Sequence, residues 1–188
     1  MVKLQKSRVG ASNYYITPYS MIEDLLKYET FQGTILEPCA SKHRTISTVF
    51  KRNGYDVIDN VYEETKVSIM DLEGHYDNII TNIPYGKINT LTFFKKMKTL
   101  TDRIICLLPL TFLIGKDRHK EIFEDKSFPL KKIYQYTRYS QLTDNVREDG
   151  KYHTGMLSYC WFVFEKKYIG DITLKQIDNS KYCLGIND

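Results

Sequence analysis

Apolar and polar positions alternate along this chain in short β-type runs separated by longer helical ones. Met21, Ile22, Leu25 and Leu26 fall on one helical face after Thr17-Pro18, which reads as an N-cap and a first helical residue; this helix ends near Lys27-Tyr28. Residues 34–37 read as a short strand. Residues 45–53 read as a helix with Ile46, Val49 and Phe50 turned inward and Gly54 as its stop. Further strands are expected at 56–59, 66–70 and 78–82, and a helix over 89–100 buries Leu91, Phe94, Met97 and Leu100. The run 103–110 is apolar without interruption, as in a strand covered on both faces. A short helix near 116–124 precedes two closing strands, 131–136 and 157–165. A polar, irregular loop over 138–155 joins them, and 169–177 has the makings of an edge strand.

A strand and helix succession of this kind predicts an α/β fold with a doubly wound, mostly parallel sheet. No internal repeat, low-complexity tract or Pro/Gly/Ser-rich linker interrupts the 188 residues, so a single domain over 1–188 is expected. No apolar run approaches the roughly 18 residues of a membrane span. The start of the chain has lysines but no apolar core of a secretory signal, which points to the cytoplasm. Cys39, Cys106, Cys160 and Cys183 are widely spaced, without a CxxC pair or a nearby histidine pair, so neither a metal site nor a disulfide is expected.

The net charge is only +4, yet the basic residues cluster at Lys42-His43-Arg44, Lys51-Arg52, Lys95-Lys96 with Lys98, Arg118-His119-Lys120, Lys131-Lys132, and from Arg138 through Arg147 to Lys151. Such clusters are compatible with a polyanionic partner and equally with solvated helix faces.

The candidate chemistry lies at Asn82-Ile83-Pro84-Tyr85, where a β-branched strand stops at an amide, a proline and an aromatic ring. In open α/β sheets that carboxyl end is where ligands bind. The tetrapeptide resembles the Asn-Pro-Pro-Tyr motif of S-adenosylmethionine-dependent amino methyltransferases, above all the adenine-N6 DNA methyltransferases, with Ile83 in place of the first proline. Other stretches resemble that family in the same order. Tyr15-Ile16-Thr17-Pro18 is similar to the segment that closes over the methionine part of the cofactor. Ile35-Leu36-Glu37-Pro38-Cys39-Ala40 is similar to the strand and acidic turn that begin the cofactor site. Residues 55–60 and Asp71-Leu72 match the ends of the second and third strands, the latter beside the cofactor's adenine. Residues 107–113 and 159–165 look like compact phage and prophage members.

The resemblance implies a Rossmann-like class I methyltransferase sheet of seven strands with the last one antiparallel. It divides the chain into a cofactor-closing segment over 1–30, the catalytic sheet over 31–167 and a tail over 168–188, with no separate target-recognition domain. It implies methyl transfer from S-adenosylmethionine to adenine N6 in DNA, in a bacterial or phage-infected cell, with a partner subunit able to supply target recognition. In that scheme the Asn82 side-chain carbonyl and the Ile83 main-chain carbonyl accept the amino hydrogens, Pro84 stiffens the turn and Tyr85 stacks on the target base. The cofactor is met by Tyr15, Thr17, Pro18, Glu37, Pro38, Cys39, Ala40, Asp59, Asp71 and Leu72; for the ribose acid, Asn60 and Glu63 are alternatives to Asp59. Lys116, Arg118, Arg138 and Ser140 are the candidate contacts to nucleic acid.

The sequence departs from the family pattern at Ser41 and His43, where glycines are expected near the cofactor; a left-handed backbone at either would cost roughly 1 kcal/mol or more. Two other readings follow: the same fold acting on RNA or on a protein glutamine amide, and a degenerate methyltransferase that binds without turnover.

Overall fold

The computed structural model describes residues 16–84, 89–138, 141–154 and 157–182. Its centre is a seven-stranded sheet in the order β2-β1-β3-β4-β8-β5-β9. The strands are β1 (Ile35–Glu37), β2 (Val57–Asp59), β3 (Asn78–Thr81), β4 (Arg103–Pro109), β5 (Leu130–Tyr136), β8 (Tyr159–Glu165) and β9 (Thr173–Ile177). Six run the same way, and β8 lies antiparallel between β4 and β5. This is the doubly wound, mostly parallel architecture expected from the sequence.

The period-two alternation of β4 shows how the sheet acquires two cores. Ile104, Cys106 and Leu108 enter one apolar cluster with Phe94, Met97 and Phe162, while Ile105 and Leu107 enter the other with Ile22, Phe50 and Trp161. Helix α1 (Tyr19–Leu26) and α2 (Thr45–Arg52) cover the second face, and α4 (Asn89–Leu100) covers the first.

Three elements differ from the sequence reading. Residues 66–70 do not form a strand: a one-turn helix α3 (Tyr62–Thr65) ends at Lys66 in a left-handed conformation, and a 3₁₀ turn follows at Ile69–Asp71. The reason lies in Val67, whose N–H donates to Thr65 Oγ1 (3.1 Å) and whose carbonyl accepts from Asn60 Nδ2 (3.0 Å). Side chains have taken the ladder groups, so β2 is left at the sheet edge. The seventh strand is instead β9, parallel to β5 at the opposite edge. Second, 138–155 is not irregular throughout, since β6 (Gln141–Val146) and β7 (Tyr152–Thr154) pair as an antiparallel hairpin. Third, the short helix splits into α5 (Lys116–Arg118) and a π-type turn at His119–Phe123.

The basal end of the sheet is held by Glu29, which is buried (4% exposed) and receives Arg103, Lys132 Nζ (2.8 Å) and the Tyr134 hydroxyl. Arg103 also donates to the Thr30 carbonyl (2.9 Å) and Asn78 Oδ1 (3.1 Å), which ties the entry of β3 to that of β4. Glu29→Ala leaves two cations without their shared carboxylate. A loss of about 3 kcal/mol in urea unfolding is expected, the low end of the range for a broken buried pair because both cations keep some solvent; a change below about 1 kcal/mol would mean the network is decorative.

Candidate active site

The carboxyl ends of β1, β2 and β3 lie side by side, and the turns that leave them form the site. Glu37, the last residue of β1, is buried at 3% exposure; its Oε2 accepts the Ser47 N–H (3.0 Å) inside the first turn of α2, and its main-chain carbonyl accepts the Asn60 N–H (3.0 Å). Asn60 returns the connection, with its carbonyl accepting from Ala40 N–H (3.1 Å) and its Nδ2 donating to the Pro38 carbonyl (3.3 Å). The acidic turn Glu37-Pro38-Cys39-Ala40 is thus laced to the end of β2 by three hydrogen bonds of Asn60 and to α2 by a fourth from Ser47. Burial pushes the Glu37 carboxyl up to about 8 against the opposing Ser47 N–H, so it holds its proton at neutral pH. Burial likewise pushes the Cys39 thiol up to about 12, which makes it a poor nucleophile.

The loop after this turn avoids the strain expected at the missing glycines. Among the described residues the only non-glycine positions with positive φ are Arg44, Lys66 and Lys167, so Ser41 and His43 stay out of the left-handed region. The turn is closed instead by Ser41, whose carbonyl accepts Arg44 N–H (2.9 Å) and whose hydroxyl accepts His43 N–H (3.3 Å). Arg44 takes the left-handed φ of 48° and sends its guanidinium across β2, with Nε on Asp59 Oδ1 (3.0 Å) and both terminal nitrogens on Glu64. Lys51 Nζ holds the other Asp59 oxygen at 3.1 Å. Burial alone would raise the Asp59 carboxyl, but the hydrogen bonds from Arg44 and Lys51 outweigh it and hold the group below its usual range.

Asn82 follows the last residue of β3 and is half-buried. Its Nδ2 donates to Thr17 Oγ1 at 3.0 Å, a contact across 65 positions of sequence. Thr17 itself is buried, and the helix begins one residue later than expected, with Pro18 as the N-cap of α1. Ile83 is fully buried in the first core, so its side chain anchors the turn that Pro84 continues. Tyr15, Tyr85 and Ser140 lie outside the described residues.

A pocket of roughly 60 Å³ opens beside Pro84. Pro38, Cys39 and Ala40 line it from the turn after β1, Asn60 from the turn after β2, Tyr62 from α3, Ser68 and Ile69 from the 3₁₀ region, and Phe93 from α4. Its mostly apolar lining, with Pro38, Ala40, Ile69, Pro84 and Phe93, suits the face of a flat heterocycle. Glu37, Asp59, Asp71 and Leu72 are not in its wall; Asp71 is exposed and Leu72 packs on the core. Tyr62, Ser68, Ile69 and Phe93 were not legible as site residues, because they come from three elements and carry no motif.

Of the candidate nucleic-acid contacts, Lys116 and Arg138 are exposed. The Arg138 backbone is held on both sides by buried Asn179, with Arg138 N–H on Oδ1 (3.0 Å) and Asn179 Nδ2 on the Arg138 carbonyl (3.3 Å). Arg118 folds back on its own loop: its guanidinium lies over the Phe112 ring at 5.3 Å and donates to the Ile114 and Thr111 carbonyls. Several of the basic clusters are neutralised in pairs, as in Lys95–Glu121, Lys98–Asp125 and Lys131–Glu165. No group of three or more metal-ligating side chains comes together among the described residues, and no helix there is long and apolar enough to cross a membrane.

No family model matches the chain, and no curated protein matches it in sequence. Solved structures do match the fold. A Listeria monocytogenes protein assigned to the class I S-adenosylmethionine-dependent methyltransferases superposes with a TM-score of 0.61 at 13% identity, over 90% of this chain and 68% of that one. A modification subunit assigned to a type I restriction enzyme of Vibrio vulnificus gives 0.57 at 12% identity, over 95% of this chain and 50% of that one. A Pyrococcus horikoshii protein assigned as an RNA methyltransferase gives 0.53 at 12%, over 80% and 82%. This chain spans about half the length of the Vibrio subunit. The architecture is therefore the Rossmann-like fold of class I methyltransferases.

Proposed function

We propose that this chain transfers a methyl group from S-adenosylmethionine to the exocyclic N6 amino group of adenine in DNA. The observation that carries the reading is the convergence at Pro84: one tetrapeptide, leaving β3 next to the acidic turn of β1, supplies both the Asn82 amide and a wall of the pocket. The structural likeness to a type I modification subunit supports DNA as the substrate and a partner subunit for target recognition.

When bound, the cofactor would supply an electrophilic methyl carbon. Adenine nitrogen is a weak nucleophile because its lone pair is delocalised, so the residues here have to orient it and favour the pyramidal form. Asn82 Oδ1 and the Ile83 carbonyl would accept the two amino hydrogens, which stabilises the positive charge that grows on nitrogen as it reacts. Pro84 restricts the turn through its fixed φ, and Tyr85 would stack on the base once it leaves its helix. The turn Pro38-Cys39-Ala40 with Asn60, Ile69 and Phe93 would enclose the nucleoside; Thr17 and Pro18 do not line this pocket, and the Thr17 hydroxyl meets Asn82 instead. Asp59 would reach the ribose only by giving up Arg44 or Lys51, and Asn60, which does line the pocket, would have to give up one of its bonds to Pro38, Val67 or Thr65. Lys116 and Arg138 would face the phosphates.

The test is incubation of purified protein with labelled cofactor and mixed DNA, RNA or release-factor-type glutamine peptides, followed by mass spectrometry of the digested products. N6-methyladenine in DNA is expected. Methylation confined to RNA or to glutamine would move the substrate to those rivals, and cofactor binding without any product would favour the degenerate reading.

A further inference from the structure

The strongest observation that the reaction scheme leaves unused is the hydrogen bond between the start of α1 and the tetrapeptide. An asparagine carboxamide turns about χ2 in a broad, shallow well, so an acceptor role for Asn82 needs a partner that holds the plane of the amide. Thr17 Oγ1 sits 3.0 Å from Nδ2, and in this arrangement Oδ1 is the opposite branch of the group.

Thr17 can do this only if it is itself immobile, and the contacts around it provide that. Pro18 follows with a ring-fixed φ of −57° and its carbonyl accepts the Met21 N–H (3.2 Å). One helical turn beyond Thr17, the Met21 carbonyl receives two side-chain donors from the sheet, Trp161 Nε1–H at 3.2 Å and the Tyr136 hydroxyl at 3.1 Å. Trp161 Nε1 and the Tyr136 oxygen also lie 3.1 Å apart, so the three groups form one buried unit. Trp161 is paired within β8 to Leu107 of β4 and Tyr134 of β5, in the middle of the sheet. The first turn of α1 is thereby bolted to the sheet from which Asn82 emerges.

We propose that Thr17 is a positioning residue for Asn82, holding the carboxamide plane so that Oδ1 faces the target amine. The inference rests on the proposed amine methylation and adds to it a role for α1 that cofactor contact alone would not give.

The test compares Thr17→Val, which keeps shape and removes the hydroxyl, with Thr17→Ser, which restores it. For T17V, kcat is expected to fall about 10- to 100-fold, the size of effect that a misplaced catalytic group produces. The affinity for the demethylated cofactor product, measured by calorimetry, is expected to stay within about twofold, and T17S is expected to recover most of the rate. An equally active T17V overturns the inference. So does a T17V protein whose whole defect is lost cofactor affinity, since Thr17 would then be a cofactor contact only.

A second readout needs no turnover. In the ¹⁵N spectrum, the Asn82 side-chain NH2, identified by its absence in Asn82→Ala, is expected to exchange with solvent faster in T17V than in wild type and T17S. Unchanged exchange overturns the inference even if wild type proves inactive, and wild type inactive on every amine counts against the proposed function instead.

Discussion

Asn82→Ala is expected to lower methyl transfer by about 10³-fold with cofactor binding retained, which is the cost of removing a group aimed at developing charge. The amide oxygen is one of two acceptors for the target nitrogen; with it gone, the Ile83 carbonyl alone cannot hold both amino hydrogens, and the nitrogen stays nearer its planar, unreactive shape. The loss should fall on kcat rather than KM, because the contact strengthens as charge grows on nitrogen. The fold should tolerate the change: Asn82 is half-buried beyond the end of β3, and the turn is anchored by Ile83 in the core. Asn82→Asp keeps an acceptor but cannot donate to Thr17, so an intermediate rate is expected. Single-turnover kinetics on a DNA substrate, with thermal unfolding as the control for folding, gives the comparison. An Asn82→Ala protein within threefold of wild type would remove the amide from the chemistry.

The parts of this molecule that were legible in its sequence are those set by local pattern. Strands β1, β3 and β4 fall where continuous apolar runs put them, and α4 spans the residues its helical face marks out, because burial on both sides of a sheet or on one side of a helix leaves a direct trace in residue order. The failure at 66–70 is of another kind. Val67 and Ile69 look like strand residues, and only the side chains of Thr65 and Asn60, folded onto the Val67 backbone, reveal that its ladder groups are used up. The hairpin within 138–155 was hidden because its strands carry polar residues rather than an apolar face. At the site, the tetrapeptide and the acidic turn were visible as motifs. The pocket wall was not, since Ser68, Ile69 and Phe93 belong to no common pattern. Thr17 shows the limit most clearly: it looks like a helix cap, whereas its hydroxyl serves an amide 65 residues away.

Glu37→Gln is expected to stabilise the protein at alkaline pH by as much as about 5 kcal/mol, the free energy equivalent of moving a carboxyl from 4.5 in the unfolded chain to about 8 in the folded one. The sign follows from proton counting. Below pH 4.5 both states carry the proton and Glu37 makes no difference. Between 4.5 and 8 the unfolded chain has lost the proton while the folded chain keeps it, so stability falls as pH rises, by about 1.4 kcal/mol per pH unit at most. Above 8 both are ionised, the slope vanishes, and the folded protein bears the full cost of a carboxylate with 3% exposure. Glutamine keeps an oxygen for the Ser47 N–H and has no charge to desolvate, so wild type and variant should be about equal near pH 5 and diverge toward pH 9. Urea unfolding at pH 5, 7 and 9 tests this. Parallel curves for the two proteins would mean that the Glu37 carboxyl ionises in the folded state as easily as in the unfolded one, and that the acidic turn is more open to water than its burial implies.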